Sequence, residues 1–305
     1  MLSHPQPPSR SKPFLKWTGG KQRLLADLLP LLPHGRRLIE PFVGAGAVLL
    51  AAPYDEYVIN DANSDLIALW TALQCRPKEC IERAQAFFVE ENLSQGAYLR
   101  LRAEFNASSD RFERAVRLPY LNRFGFNGLF RVNSRGGFNV PYGHPSRLPG
   151  FPLEAMLEAA TKLDRCTILN GGFAGAMSMA KVGDVVYCDP PYLPADERSS
   201  FTGYTSAGFG EQQHEELLEA GVLAVSRGAT VLISNHDTPQ TRRLYRHWHL
   251  TSISTRRSVS ADASKRGAAQ ELVAILPWPG SDESPHTKLA CDDRVPFADA
   301  PVTGW

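Results

Sequence analysis

No stretch of the 305 residues approaches the roughly 18–20 consecutive apolar residues that a membrane helix needs. No membrane association is expected. The start, Met1 to Lys12, is polar and proline-rich and lacks the apolar core of a secretory signal. The five cysteines are odd in number and scattered, so no disulfide framework is expected, and the usage suits a reducing cytosol. Cys75 and Cys80 have no second ligand pair, which argues against zinc, and no metal is expected. Gly19-Gly20-Lys21 is followed by Gln22 and lacks the rest of a phosphate loop. Gly44-Ala45-Gly46 lacks the third glycine of the dinucleotide fingerprint. His236 and the other histidines form no nucleophile–base arrangement. The chain also lacks a charge excess: a net +1 does not by itself suggest nucleic acid.

What the chain does contain is concentrated in Tyr187-Cys188-Asp189-Pro190-Pro191-Tyr192. The preceding residues, Asp184 to Cys188, read as a short buried parallel strand stopped by two prolines, with Cys188 as a small core residue. Open α/β sheets bind ligands at the carboxyl ends of their strands. There the sequence places a carboxylate (Asp189), a turn stiffened by Pro190 and Pro191, and an aromatic ring (Tyr192). Prolines fix φ and remove N–H donors, leaving carbonyls as acceptors. Carboxylate, carbonyl and ring together suit a planar group carrying an NH2. The plainer explanation is an Asp-Pro turn ending a strand.

Charge distribution adds a second signal. From Arg100 to Arg147 nine arginines face three acids, a local balance of +6. From Gln240 to Arg266, six arginines and Lys265 face only Asp262, again +6. Basic clusters are the footprint of phosphate binding, although each could also be a solvated helix face.

The order of elements predicts a doubly wound α/β fold. Strands are expected at Leu38–Glu40, Tyr57–Asp61, Thr167–Leu169, Val185–Cys188, Thr230–Ile233, Leu250–Ile253 and Leu272–Leu276. Gly44 and Gly46 allow a tight turn into a helix near Ala47. From about Asp65 to Arg123 the alternation gives way to a helical pattern broken at Pro77 and around Asn106–Ser109. Residues 126–143 read as a β-hairpin turning at Asn133–Gly137. Residues 65–150 thus form an expected insertion, with 13–64 and 151–277 as the main domain. The first 12 residues and the tail 278–305 are expected to be disordered. Asp61, at the end of the second strand, stands where acids accept hydrogen bonds from ribose hydroxyls; the alternative is a helix cap, with Asn63 and Ser64 as competitors.

Taken in order, Phe14–Lys21, Glu40–Gly46, Asn60–Asn63, Tyr120–Arg131, Gly137–Gly143, Asp189–Tyr192, Leu232–Asp237 and Arg256–Ser260 resemble the Dam family of DNA adenine methyltransferases. The resemblance runs from about Lys12 to Leu276. It implies a Rossmann-like methyltransferase sheet with an inserted, mainly helical target-recognition domain carrying the hairpin. It implies S-adenosyl-L-methionine as cofactor, double-stranded DNA as partner, a cytoplasmic monomer and GATC as the target. Asp189, Pro190 and Tyr192 would hold the adenine amino group. Trp17, Lys21, Phe42, Gly44, Asp61 and Asp189 would form the cofactor site.

On the DNA side, the resemblance implies that Phe126 fills the gap left by a flipped base and Asn127 meets the orphaned partner. Leu129 and Pro141 would touch a thymine methyl, Arg131 would read a guanine, Lys16 the outer base pair, and Arg102 would clamp a phosphate. Phe126 and Phe130 could instead be hairpin packing. Two departures stand out: Phe126 replaces a frequent tyrosine, keeping the ring, and His144-Pro145 follows Tyr142-Gly143 where the family often has an aromatic or basic contact. Cytosine amino methylation, methylation of RNA or a protein amide, and a non-catalytic DNA-binding regulator remain as alternatives. The Asp189–Tyr192 and cofactor motifs are intact, which argues against the regulator.

Overall fold

The computed structural model describes residues 12–194, 209–254, 270–277 and 279–280. The expectations for residues 1–11 and the tail lie outside them, as do Arg256–Ser260, Lys265 and Arg266. Seven strands form one sheet: β1 (Arg37–Glu40), β2 (Glu56–Asp61), β3 (Cys166–Asn170), β4 (Val185–Cys188), β5 (Thr230–His236), β6 (His249–Ser254) and β7 (Gln270–Leu276). Their order is β3-β2-β1-β4-β5-β7-β6. β1 to β5 pair in parallel, and β7 runs antiparallel between β5 and β6. All seven expected strands form, and the sheet is of the expected α/β class.

Period-two alternation sorts the strand residues onto two faces. Leu38, Tyr57, Ile59, Val185, Tyr187, Leu232 and Val273 belong to one apolar cluster. Their neighbours Ile39, Val58, Val186, Cys188, Val231, Ile233 and Leu272 belong to the other. Parallel strands covered on both faces must be apolar on both, which is why Val185-Val186-Tyr187-Cys188 carries no polar position. Cys188 is fully buried, as expected.

Ten α-helices are described: α1 (Leu25–Leu28), α2 (Ala47–Ala51), α3 (Ser64–Cys75), α4 (Pro77–Gln85), α5 (Gln95–Ala107), α6 (Arg111–Phe124), α7 (Leu153–Leu163), α8 (Phe173–Met177), α9 (Glu211–Ser226) and α10 (Pro239–Leu244). α8 and α9 cover one face of the sheet; α3 and α7 lie on the other, and α3 also packs on α4 and α6. The breaks at Pro77 and at Asn106–Ser109 occur where expected. A further break, from Ala86 to Ser94, contains the 3-10 turn Glu90–Asn92 and was not apparent from periodicity. The first apolar cluster continues from the sheet through α3 to α6, so the helical insertion shares its core with the sheet.

Residues 126–143 fold back on themselves, but not as a continuous ladder. The arms meet at two isolated bridges, Gly125 with Tyr142 and Val132 with Phe138. Phe126–Gly128 is a 3-10 turn in which Asn127 takes the left-handed conformation (φ 53°), and this breaks the strand. Side chains supplement the scattered backbone bonds between the arms, such as Phe126 N to Pro141 O at 2.9 Å and Asn139 N to Arg131 O at 3.0 Å. Asn133 Oδ1 accepts from the N–H groups of Arg135 and Gly137, both at 3.0 Å. From α5, Asn106 donates to Phe138 O (3.0 Å) and accepts from Phe138 N (2.8 Å), while Tyr98 donates to Val140 O (3.0 Å).

The amino ends of β1 and β4 are joined by a buried ion pair. Arg37 and Asp184 are 8 % and 5 % exposed. Arg37 Nε donates to Asp184 Oδ2 at 3.1 Å, and its Nη2 donates to Met179 O at 2.8 Å. Asp184→Ala would strand the guanidinium, and a loss of about 3–5 kcal/mol is expected. Urea unfolding of the two proteins measures this; a loss below about 1 kcal/mol would show the pair to be solvated.

Candidate active site

Strand order reverses between β1 and β4, so the loops leaving their carboxyl ends diverge and open a crevice. One loop is Pro41–Gly46; the other is Asp189–Tyr192. A third segment, the 3-10 turn Lys21–Arg23, brings Lys21 into the crevice.

Lys21 is only 4 % exposed. Its ammonium lies 2.7 Å from Asp189 Oδ1 and 3.8 Å from Glu271 Oε2. It donates to Gly19 O at 2.9 Å and stands 4.7 Å from the centre of the Tyr192 ring. Burial pushes the Asp189 carboxyl above its usual value; the lysine opposes this, and Glu271 reinforces it. The Tyr192 hydroxyl donates to Glu271 Oε2 at 2.7 Å, and its ring meets His236 edge-on, centroids 4.8 Å apart.

A buried polar chain fixes the backbone of this loop. Asn235 Oδ1 accepts from Leu193 N at 3.2 Å, and Asn235 Nδ2 donates to Tyr245 OH at 3.3 Å. Tyr245 OH lies 3.2 Å from His214 Nδ1, and His214 Nε2 lies 3.1 Å from Pro191 O. Burial lowers the His214 pKa and favours the neutral ring. The carbonyl of Pro191 requires the proton on Nε2, so Tyr245 donates to Nδ1. Asn235 thus holds the loop backbone, and His236 packs against Tyr192.

On the β1 side, Gly44 (φ 49°) and Gly46 (φ 70°) adopt left-handed conformations. A Cβ on Gly44 would come within 3.0 Å of Trp17 Nε1, so a side chain is excluded by sterics as well as by φ. Trp70 Nε1 donates to Gly44 O at 3.1 Å. Asp61 Oδ2 accepts from Gly44 N (3.0 Å) and Oδ1 from Asn63 N (2.9 Å). Burial raises the Asp61 pKa, and these backbone N–H groups hold it down. The cap of α3 is Asn63, whose Oδ1 accepts from Asp65 N and Leu66 N at 3.1 Å, so Asp61 is free of that task. Phe42 packs against Phe173 (5.7 Å) and Phe209 (5.6 Å). Beyond β3, a cavity of about 440 Å³ is lined by Asn60, Leu169 and Asn170–Gly172 among others.

Trp17 links this region to the 126–143 segment, because its ring also lies 5.9 Å from that of Phe130. Phe130 packs on Phe138 at 5.4 Å, so it belongs to the fold of the segment. Phe126, in contrast, is 48 % exposed. Asn127, Arg131 and Pro141 are exposed, and Leu129 is half-buried. Arg131 Nε donates to Asn139 Oδ1 at 2.8 Å, which fixes one edge of the guanidinium. Arg102 is half-buried and donates to Val140 O at 2.9 Å, so part of its fork holds the segment in place. Lys16 is exposed beside Gly128, and its backbone is clamped by Asn122, which accepts from Lys16 N (2.9 Å) and donates to the carbonyls of Lys16 and Gly128.

The basic cluster of Arg100–Arg147 is thinner than its count. Arg114 is bound by Asp65 of α3 (2.6 Å) and Arg117 by Glu113 (2.6 Å), while Arg123 donates to Phe14 O (2.7 Å). A count over a sequence window misses acids such as Asp65 that the fold brings in from outside. In the second cluster, Arg242 is paired with Asp237 at 2.6 Å.

The structure therefore brings Lys21, Asp189 and Tyr192 together, sets Trp17, Phe42, Gly44 and Asp61 around the neighbouring turn, and leaves Phe126, Asn127 and Arg131 on an exposed edge. Glu271, Trp70, Phe173 and Asn122 are site neighbours that sequence reasoning did not single out. Only Asn122 lay within a motif; Glu271 is a lone acid in an apolar strand. Among the described residues no group of three or more His, Cys, Asp or Glu could hold a metal ion.

The model of the D12 class N6 adenine-specific DNA methyltransferases matches residues 17–259. The chain is 41 % identical over 268 residues to a DNA adenine methylase of Vibrio cholerae serotype O1, covering 88 % of this chain and 96 % of that one. It is 42 % identical over 266 residues to the DNA adenine methylase of Escherichia coli K12, covering 87 % and 95 %. The match spans the crevice, both flanking loops and the exposed segment, and the chain belongs to the D12 class of N6 adenine-specific DNA methyltransferases.

Proposed function

We propose that this DNA adenine methyltransferase takes its methyl group from S-adenosyl-L-methionine and delivers it to the amino group of an adenine extruded from double-stranded DNA, with GATC as the target. The observation that carries the reading is the Lys21–Asp189–Tyr192 cluster beside the Gly44 turn. The residues fit such a cofactor. Gly44 brings its backbone against the Trp17 ring with no side chain between them, Asp61 offers a carboxylate beside it, and Phe42 and Phe173 supply flat apolar surface. Trp17, Lys21, Phe42, Gly44, Asp61 and Asp189 would hold it. When bound, the cofactor supplies an electrophilic methyl group on a sulfonium.

The rest of the chemistry falls to the chain. An adenine amino nitrogen is a poor nucleophile because its lone pair is delocalised into the ring. Asp189 accepts one of its N–H groups and the carbonyl of Pro190 the other, which favours a pyramidal nitrogen. Tyr192 stacks on the base. Lys21 keeps Asp189 ionised although it is buried, and only the ionised carboxylate is a pure acceptor. Alignment and proximity then supply most of the rate.

Extruding a base costs a few kcal/mol. Residues 65–150 would offset this as a target-recognition domain. Phe126 is the exposed ring that would fill the gap, with Asn127 beside it in a conformation set by the turn. Leu129 and Pro141 would meet a thymine methyl, Lys16 the outer base pair and Arg102 a phosphate. Arg131 would read a guanine through its two acceptors.

Asp189→Ala is expected to abolish methyl transfer while retaining most DNA affinity, since phosphate contacts carry the affinity. Methylation assays with labelled cofactor on GATC duplexes, alongside fluorescence anisotropy, measure both; near-normal turnover would refute the proposed chemistry. Asp61→Ala is expected to weaken cofactor binding by about 1.5–3 kcal/mol, with DNA affinity unchanged, and calorimetry reads the difference.

Arg131→Ala separates base reading from phosphate contact. A base reader relaxes selectivity at one guanine by about 1–3 kcal/mol with little loss of non-specific binding. Methylation rates on GATC and on each single-base variant test this, and proportional losses at every site would remove Arg131 from the recognition set.

A further inference from the structure

We propose that Glu271 is a positioning residue that anchors Tyr192 through its hydroxyl and shares the Lys21 ammonium with Asp189, so that Lys21 can turn toward Glu271 when an amino group arrives at Asp189. The proposal rests on the acceptor site described above and adds to it a residue from the far side of the sheet.

Three charges meet in this crevice: two carboxylates and one ammonium. Lys21 Nζ is 2.7 Å from Asp189 Oδ1 and 3.8 Å from Glu271 Oε2. Asp189 Oδ1 is buried, and Lys21 occupies it. An incoming N–H group competes with the ammonium for the charge of this carboxylate, which is 21 % exposed. With Asp189 as its sole counter-charge, a lysine 4 % exposed would be left with the Gly19 carbonyl when that charge is shared, at high cost. A second carboxylate within reach removes most of that cost, because the ammonium exchanges one partner for another. The flexible lysine stem permits the movement without a backbone shift.

Glu271 also fixes the ring. Its Oε2 accepts from the Tyr192 hydroxyl at 2.7 Å. It lies on β7 directly opposite His236 of β5, whose ring stands nearly perpendicular to that of Tyr192 with centroids 4.8 Å apart. Two adjacent antiparallel strands therefore hold one aromatic ring, through its hydroxyl and through a perpendicular ring contact. A ring pinned in this way presents a fixed face to a base.

The groups facing Asp189 are Lys21 from the N-terminal turn, Glu271 from β7, Glu40 from β1, and Tyr187 and Tyr192 on its own strand and loop; His236 of β5 faces Lys21. Glu40 is itself pushed up, by burial first and then by Asp189, so it is the carboxyl that favours the neutral form. Glu271 is the acid that raises Asp189. Removing its charge must therefore lower the pH at which Asp189 titrates.

The experiment is a ¹³C-carboxyl titration of the cofactor-free chain, unaltered and as Glu271→Gln, with Asp189 assigned by Asp189→Asn. Glutamine keeps the shape and an acceptor for Tyr192 but no charge. The Asp189 midpoint is expected to fall in Glu271→Gln, and an unchanged or higher midpoint overturns the proposal. A kinetic cycle tests the anchor. Glu271→Ala and Tyr192→Phe should each lower kcat by about 10- to 100-fold, glutamine should restore part of the alanine loss, and the double variant should be no slower than the slower single one. Fully multiplicative losses overturn the anchoring role. Should the alanine variant fail to fold, the glutamine titration still decides. That titration uses neither cofactor nor DNA, so its failure sinks Glu271 alone, whereas absence of GATC methylation by the unaltered chain would sink the functional reading.

Discussion

The parallel pairing of β1 with β4 is the constraint on which the site depends. Leu38 and Ile39 lie in register with Val185 and Val186, so the two strands end side by side. Their chains then leave in opposite directions, to β2 on one side and toward β5 on the other. Neither loop can cross the sheet end, and a crevice between them follows from topology alone. The Gly44 turn and the Asp189–Tyr192 turn form its walls. At the amino ends of the same strands, Arg37 and Asp184 are buried together, and the pairing is closed from below by their ion pair.

Burial gives the site its electrostatic character. Asp189 and Glu40 both feel desolvation, which favours their neutral forms. A carboxylate that must accept N–H bonds has to stay ionised, and a nearby cation is the remedy. Lys21 opposes the effect at Asp189 from a segment far away in sequence, held in place because the nearby Gly19 carbonyl accepts from the same ammonium. The polar chain Asn235–Tyr245–His214 performs the complementary task for the backbone. It occupies the carbonyl of Pro191 and the amide of Leu193, which fixes the turn on both sides of Tyr192.

The exposed segment 126–143 shows a different strategy. Its arms share scattered backbone hydrogen bonds, and side chains of α5 and α6 add to the hold on its backbone: Tyr98, Arg102, Asn106 and Asn122. Freed from ladder geometry, Asn127 adopts a left-handed conformation and Phe126 stays on the surface. Trp17 lies between the Gly44 turn and Phe130 and so packs this edge against the crevice.

Much of this was written in the sequence. Strand positions followed from short β-rich runs, the Gly44 turn from glycine spacing, and the Asp189–Tyr192 turn from its prolines, because these are local properties of backbone conformation. The ordered motifs also carried the family. What the sequence could not show was partnership across distance. Nothing near Glu271 marks it, since its role arises only when β7 inserts antiparallel beside β5 and delivers it to Tyr192 and Lys21. Nothing local showed that Asp65 would neutralise Arg114, and the sequence left Asp61, Asn63 and Ser64 as rival caps of one helix until the fold gave the cap to Asn63 and Asp61 to the Gly44 turn. Local chemistry fixes which conformations a segment can adopt; which charges and hydrogen-bond partners meet in a dry interior is decided by packing, where desolvation makes each encounter count.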